Sequence, residues 1–386
     1  MKLTKIFSDF FNSEKAGGLI LIFCAVISLV LANSGYKDTY INFWNTSFNG
    51  HSYTHWINDG LMAIFFLLIG LELEREVYIG ELSRLNNALF PVIAAIGGVA
   101  VPALIYIYIN YGTPLQNGAG IPMATDIAFA IGMLSLLGKR VPSNLKIFIT
   151  ALAVIDDLCA ILVIAIFYSN GIDWMYLGIA ALIFISMLIM NRLKVHRLLP
   201  YLIGGGALWY CMLHSGVHAT IAGVLTAFAI PFGDGGEKTV SARLQHYLHR
   251  PVAFFIVPLF ALANTALYIA PGWMDSLQTS LSMGIIAGLV AGKPIGILLF
   301  AGVAVAFGIC KLPQGLRWKY IAGTAMLAGI GFTMSIFVAL LAFDNATDID
   351  TAKISIIVAS VIAALIGLIL LKIILPKTNV ADDEEL

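Results

Sequence analysis

The chain has 386 residues, 60% of them hydrophobic and 11% charged, with 22 basic residues balanced by 22 acidic ones. Soluble domains carry about 25% charged residues, so this composition and a mean hydropathy of +0.91 exclude an ordinary soluble domain and describe a polytopic membrane protein. A net charge of zero implies no polyanionic partner such as a nucleic acid.

Twelve apolar runs lie near 16–33, 58–76, 88–110, 121–137, 144–168, 174–191, 198–213, 216–231, 251–269, 280–308, 319–343 and 353–375. A helix of about 20 apolar residues crosses a bilayer, so the expected fold is all-α, with twelve spans in one membrane domain over 1–386. The first run reads as a retained helix behind an interfacial segment. Asp9 and Glu14 interrupt the basic N-terminus, and no small-x-small cleavage site is evident.

Between spans 1 and 2, Asn49-Gly50 separates two aromatic-rich segments, the signal of a short external β-hairpin over about 41–56. Its edges either pair with another protomer, giving a homodimer, or belong to an ordinary loop. Span 2 ends in Glu72-Leu73-Glu74-Arg75-Glu76; water at the interface accounts for Glu74 and Arg75, whereas Glu72 lies deeper and faces a water-filled funnel.

Span 4 is interrupted at Pro122, which lacks a backbone donor and disfavours helix at Ile121. Thr125 and Asp126 follow immediately. Span 11 carries a second break at Gly329-Ile330-Gly331. Non-helical backbone is tolerated at membrane depth only where protein or water satisfies it, and two such spans in separate halves point to a midplane binding site of the secondary-transporter type. Close packing at glycines explains either break alone, but not the pair beside buried acids.

Span 5 holds Asp156 and Asp157 in the run LAVIDDLCAILVIAI. A carboxylate at the centre of a spanning helix costs roughly 2.5–3.5 kcal/mol on insertion scales, so two in succession mark a functional site rather than structural glue. Span 10 holds Lys293 between Gly292 and Pro294, a base at depth that needs a carboxylate or carbonyls around it. Asp126, Asp156 and Asp157 against Lys293 leave the interior at a formal charge of −1, which suits a cation.

In HSGVHATIAG (214–223), His214 and His218 have zinc-binding spacing but no third ligand, so a polar helix start is the reading taken. The four cysteines form no C-x-x-C and read as buried thiols. The acidic tail, 377–386, is a solvated cytoplasmic charge run. With alternate loops assigned to alternate sides, 19 of the 22 basic residues fall on the side of both termini, making it cytoplasmic.

Adjacent helical residues point about 100° apart, so Asp156 and Asp157 are expected to divide their labour. One carboxylate stands in an aqueous cavity as ion ligand, the other turns to a partner such as Lys293. Carboxylates, Thr125 and unwound carbonyls suit a hard monovalent cation, and competition between that cation and protons on alternating sides is all that antiport requires. No nucleotide motif or soluble domain accompanies the site, so an ion gradient is the expected driving force, with no cofactor and no enzymatic activity.

The chain resembles the NhaA family of bacterial Na⁺/H⁺ antiporters in GLELERE (70–76), PMATDIAFAIG (122–132), LAVIDDL (152–158), HSGVHATIAG (214–223), AGKPIGI (291–297) and GIGFTMSIF (329–337), over about 16–375. The resemblance implies inverted repeats of spans 3–5 and 10–12, with spans 4 and 11 crossing as broken helices. It implies electrogenic exchange of cytoplasmic Na⁺ or Li⁺ for external protons at Asp157, Asp156 and Thr125. Lys293 would pair with Asp156 in the ion-free state, Asp126 would offset positive helix ends and Lys293 negative ones, and the hairpin would join a homodimer in the inner membrane. Two departures, Gln245 in place of Glu and Glu74 in place of Lys, fall in the region linked to pH activation, where Glu72, Glu76, His246 and His249 remain.

A passive cation channel is the first alternative. An intramembrane aspartyl protease fits less well, because it needs aspartates from separate helices, and a non-catalytic ion sensor lacks an output domain.

Overall fold

The computed structural model describes residues 14–169, 171–236 and 239–376. The interfacial N-terminal segment, Lys2, Lys5, Lys238, Lys377 and the acidic tail lie outside the described residues. The chain is built from α1 (Glu14–Ala32), α2 (Lys37–Asn45), α3 (Tyr53–Tyr78), α4 (Leu85–Ile109), α5 (Ile127–Ser135), α6 (Ser143–Phe167), α7 (Trp174–Arg192), α8 (Leu198–His214), α9 (Ile221–Ala229), α10 (Val240–Asn264), α11 (Ser280–Ala306), α12 (Trp318–Ala328), α13 (Phe332–Ala342) and α14 (Ala346–Ile374).

Among the described residues, six of these helices start where the preceding side chain takes an otherwise unpaired amide. Asp173 accepts from Met175 N and Tyr176 N ahead of α7, Thr239 from Ala242 N ahead of α10, and Asn345 from Thr347 N ahead of α14. The long helices α10 and α11 contain π turns, Val252–Ile256 and Ala287–Gly292, each ending two residues before a proline, Pro258 or Pro294. A wider turn admits the residue that proline's missing N–H and bulky ring would otherwise displace.

The helix boundaries follow the apolar runs closely. Among the described residues, eight helices are long and apolar enough to cross a membrane, or ten if each of two bent pairs is one span. The run near 216–231 yields only the nine residues of α9, about 13 Å at 1.5 Å per residue. His214 ends α8 and His218 lies in the connection, so neither opens a helix.

The hairpin is much shorter than the expected 41–56. Two-residue strands, β1 (Ser47–Phe48) and β2 (His51–Ser52), pair Ser47 with Ser52 and Phe48 with His51. Asn49 and Gly50 turn between them at φ +53° and +86°, the conformation for which this dipeptide is suited. The expected arms on either side are helical, in α2 and the start of α3.

The chain divides into two compact units. Of the described residues, the first gathers those up to Phe23, Arg84–Ala160 and those from Ile269 onward. Within it α4 lies against α11, and a Cβ on Gly292 would meet the Cα of Pro102 at 3.0 Å. Glycine there lets the two backbones approach closely one residue before Lys293. The second unit gathers Cys24–Ser83 and Ile161–Tyr268. Its core joins Leu67 and Leu71 of α3 to Met187, Tyr201, Ala227, Val240 and Leu244 from α7 to α10.

Candidate functional site

The site is built where two spans lose their helical backbone. In the fourth apolar run, a 3-10 segment, Pro114–Met123, gives way to extended residues before α5 begins at Ile127. In the eleventh, α12 and α13 meet at a 46° bend. The breaks are joined directly: the Asp126 amide donates to Ile330 O at 2.7 Å. Asp126 then closes both helix starts, accepting from Phe129 N through Oδ1 at 2.9 Å and through Oδ2 from Thr333 N at 3.0 Å and Thr333 Oγ1 at 2.5 Å. One carboxylate thus faces the positive ends of two half-helices, where an anion is stabilised by their dipoles.

The opposite ends of the half-helices meet donors. Lys293 Nζ donates to Met123 O, and Thr125 Oγ1 lies 3.0 Å from Ala328 O, the last residue of α12. Both donors also reach Asp156 Oδ2, Lys293 Nζ at 2.9 Å and Thr125 Oγ1 at 2.7 Å. The Lys293–Asp156 pair is wholly buried, with both side chains 0% exposed. Desolvation on that scale is tolerable because each charge has a counter-charge and further hydrogen-bond partners.

Asp157 is buried as well. Asp156 and Asp157 do not differ in solvent access, both being 0% exposed. The second oxygen of Asp156, Oδ1, is buried without a hydrogen-bond partner among the described residues. With Asp157 adjacent and Thr125 Oγ1 on the same carboxylate, oxygen is the donor type on offer here. Among the described residues, no group of three or more His, Cys, Asp or Glu is arranged to hold a metal ion. His214 Nδ1 bonds to Tyr210 O and His218 Nε2 to Tyr168 O, each at 2.9 Å.

The residues gathered around Asp126, Asp156 and Lys293 lie wholly in the first compact unit, whereas His214, His218, Glu72, Glu76, His246 and His249 belong to the second. His246 and His249 are exposed on α10, and Glu72 and Glu76 are half-buried on α3. Glu74 corrects the expectation made for it. It is 7% exposed and takes a hydrogen bond from Ser241 at the start of α10, because that helix packs over the face of α3 that carries it.

A sequence model described as Na⁺/H⁺ antiporter 1 matches residues 8–371. The chain belongs to this antiporter family. Among its curated relatives, Na(+)/H(+) antiporter NhaA 1 of Flavobacterium johnsoniae is 60% identical over 97% of this chain and 98% of its own length. Na(+)/H(+) antiporter NhaA of Cytophaga hutchinsonii is 58% identical over the full length of both. The protein of that name from Vibrio alginolyticus is 47% identical over 97% of this chain and 99% of its own.

For this member of the antiporter family, two buried hydroxyls at the breaks were not singled out from the sequence. Ser335 Oγ donates to Ile121 O at 2.7 Å, and Ser360 Oγ accepts from Phe332 N at 3.1 Å. Serine within an apolar helix is common, and no spacing rule marks these two. The signal available was indirect: each break leaves backbone groups that something must meet.

Proposed function

We propose that the protein is a secondary active transporter that exchanges cytoplasmic Na⁺ or Li⁺ for external protons by alternating access, with Asp156, Asp157 and Thr125 as the coupling site. The observation that carries this reading is the wholly buried Lys293–Asp156 pair, tied through Thr125 and Met123 to both interrupted spans. A buried carboxylate is stable only with a proton, a fixed cation or a transported cation beside it. In the ion-free form Lys293 fills that role for Asp156. A Na⁺ or Li⁺ ion arriving at Asp157, Asp156 Oδ1 and Thr125 Oγ1 competes with protons for these groups and with Lys293, held at Oδ2, for the charge of the Asp156 carboxylate. Release of protons to one side as the cation binds, and of the cation to the other as protons return, couples the two flows.

Asp126 and Lys293 have a supporting part. They hold the facing helix ends at fixed charge while the ion comes and goes, which keeps the broken backbone from collapsing when the site is empty. Exchange is electrogenic, more positive charge entering with protons than leaving with Na⁺. The twelve spans form a single domain with spans 3–5 and 10–12 as inverted repeats, spans 4 and 11 crossing, and both termini on the cytoplasmic face of the inner membrane. The hairpin joins two copies. Glu72, Glu76, His246 and His249 tune the response to pH. No cofactor takes part.

The test is Na⁺-induced proton release from the purified protein across pH, for wild type and Asp157→Asn. Release in the wild type that is lost in a variant still correctly inserted in the membrane is the expected result. Binding of Na⁺ by the wild type without any proton release would overturn the shared-site mechanism.

A further inference from the structure

Every backbone group left unpaired by a break at membrane depth has to be met by protein. Lys293 at Met123 O, Thr125 at Ala328 O and Asp126 at Thr333 N are already part of the coupling site. Two groups are served from outside it. The Phe332 amide, first in α13, is met by Ser360 Oγ from the middle of α14, and Ile121 O, just ahead of Pro122, is met by Ser335 Oγ of α13. Both serines are buried, Ser360 at 1% and Ser335 at 0% exposure.

A serine in a spanning helix ordinarily turns back on its own helix; Ser355 of α14 does so at Thr351 O, 2.7 Å, besides meeting the side chain of Ser282 in α11 at 2.8 Å, but it serves no broken backbone. Ser360 instead reaches another helix 28 residues away in sequence, and Ser335 reaches a carbonyl 214 residues away. What these two bonds hold leads straight to the coupling site. Thr333, next to Phe332, grips Asp126; Ile330 O takes the Asp126 amide; and Thr125, the residue before Asp126, touches Asp156. A shift of Phe332 or Ile121 therefore displaces Thr125 relative to Asp156.

We infer that Ser360 and Ser335 are positioning residues for the cation site: their hydroxyls fix the register in which the two breaks present Thr125 to Asp156. The inference rests on the antiport reading, and its test separates the two. The full-length protein is reconstituted into liposomes, and Na⁺-dependent proton movement gives KM for Na⁺ and the maximal rate. Ser360→Ala and Ser335→Ala raise KM about fivefold to tenfold, the loss expected from one hydrogen bond's worth of alignment, while the maximal rate stays within about twofold. Ser360→Thr, which keeps the hydroxyl, returns KM towards the wild-type value. Ser355→Ala, which removes another buried hydroxyl of α14, one bonded to Ser282 Oγ of α11 away from the breaks, leaves KM unchanged.

A wild-type KM in Ser360→Ala, or an equal rise in Ser355→Ala, overturns the inference and leaves antiport standing. Should Ser360→Ala fail to reach the membrane, Ser335→Ala decides, and an unchanged KM there overturns it. A wild type that moves no protons in response to Na⁺ defeats the antiport reading instead. Na⁺ affinity measured by calorimetry on the same variants then decides the positioning role by itself.

Discussion

Separating Lys293 from Asp156 provides the sharpest test of the site's energetics. Lys293→Ala leaves the Asp156 carboxylate buried with Thr125 as its remaining partner; Asp156→Asn leaves the Lys293 ammonium buried against Met123 O. Removing one member of a buried ion pair typically costs about 3–5 kcal/mol, most of it the penalty on the charge left behind. Both side chains here are 0% exposed, so solvent offers no relief and each single variant falls in that range. Removing both charges, in Asp156→Asn with Lys293→Met, abolishes that penalty and keeps most of the packing volume. The double variant should therefore be more stable than the sum of the singles predicts, by roughly 2–3 kcal/mol. Lys293→Arg, which keeps the charge, should fall between wild type and Lys293→Ala. The assay is thermal unfolding in detergent followed by intrinsic fluorescence, with correct membrane insertion checked for each variant. Strict additivity of the two singles, or equal melting temperatures for Lys293→Ala and Lys293→Arg, would falsify the pairing.

The double cap at Asp126 gives a graded outcome. Asp126→Asn keeps one oxygen for one of the two helix starts and loses about 1 kcal/mol, whereas Asp126→Ala loses both caps and about twice that; melting temperatures out of the order wild type, Asn, Ala would refute the dual role. At the hairpin, Gly50 sits at φ +86°, a conformation that costs an L side chain about 1–2 kcal/mol. Gly50→Val should disorder the turn and lower the dimer fraction in native mass spectrometry while the protomer stays folded; an unchanged dimer would remove the hairpin from that interface.

Much of this molecule was legible because hydropathy is a local property. The bilayer demands about 20 apolar residues per crossing, so the runs near 144–168, 174–191 and 280–308 mark α6, α7 and α11 to within a few residues. Proline and glycine act on their own backbone, so the interruptions at Pro122 and at Gly329-Ile330-Gly331 were equally visible. Lys293 was a natural partner for Asp156 because an isolated buried charge is untenable and few opposite charges were on offer.

What tertiary structure alone decided is which group meets which. Glu72 and Glu74 are two residues apart, yet Glu74 is the more buried, because the start of α10 covers its side of α3. The hairpin shrank to two pairs because helix claimed its flanks. Ser335 and Ser360 carry no mark in the sequence, since a hydroxyl's partner depends on the register between helices rather than on its neighbours in the chain. Local chemistry set where the chain crosses and breaks. The packing of distant segments set how each broken end is satisfied, because only there are donor and acceptor brought within about 3 Å of each other.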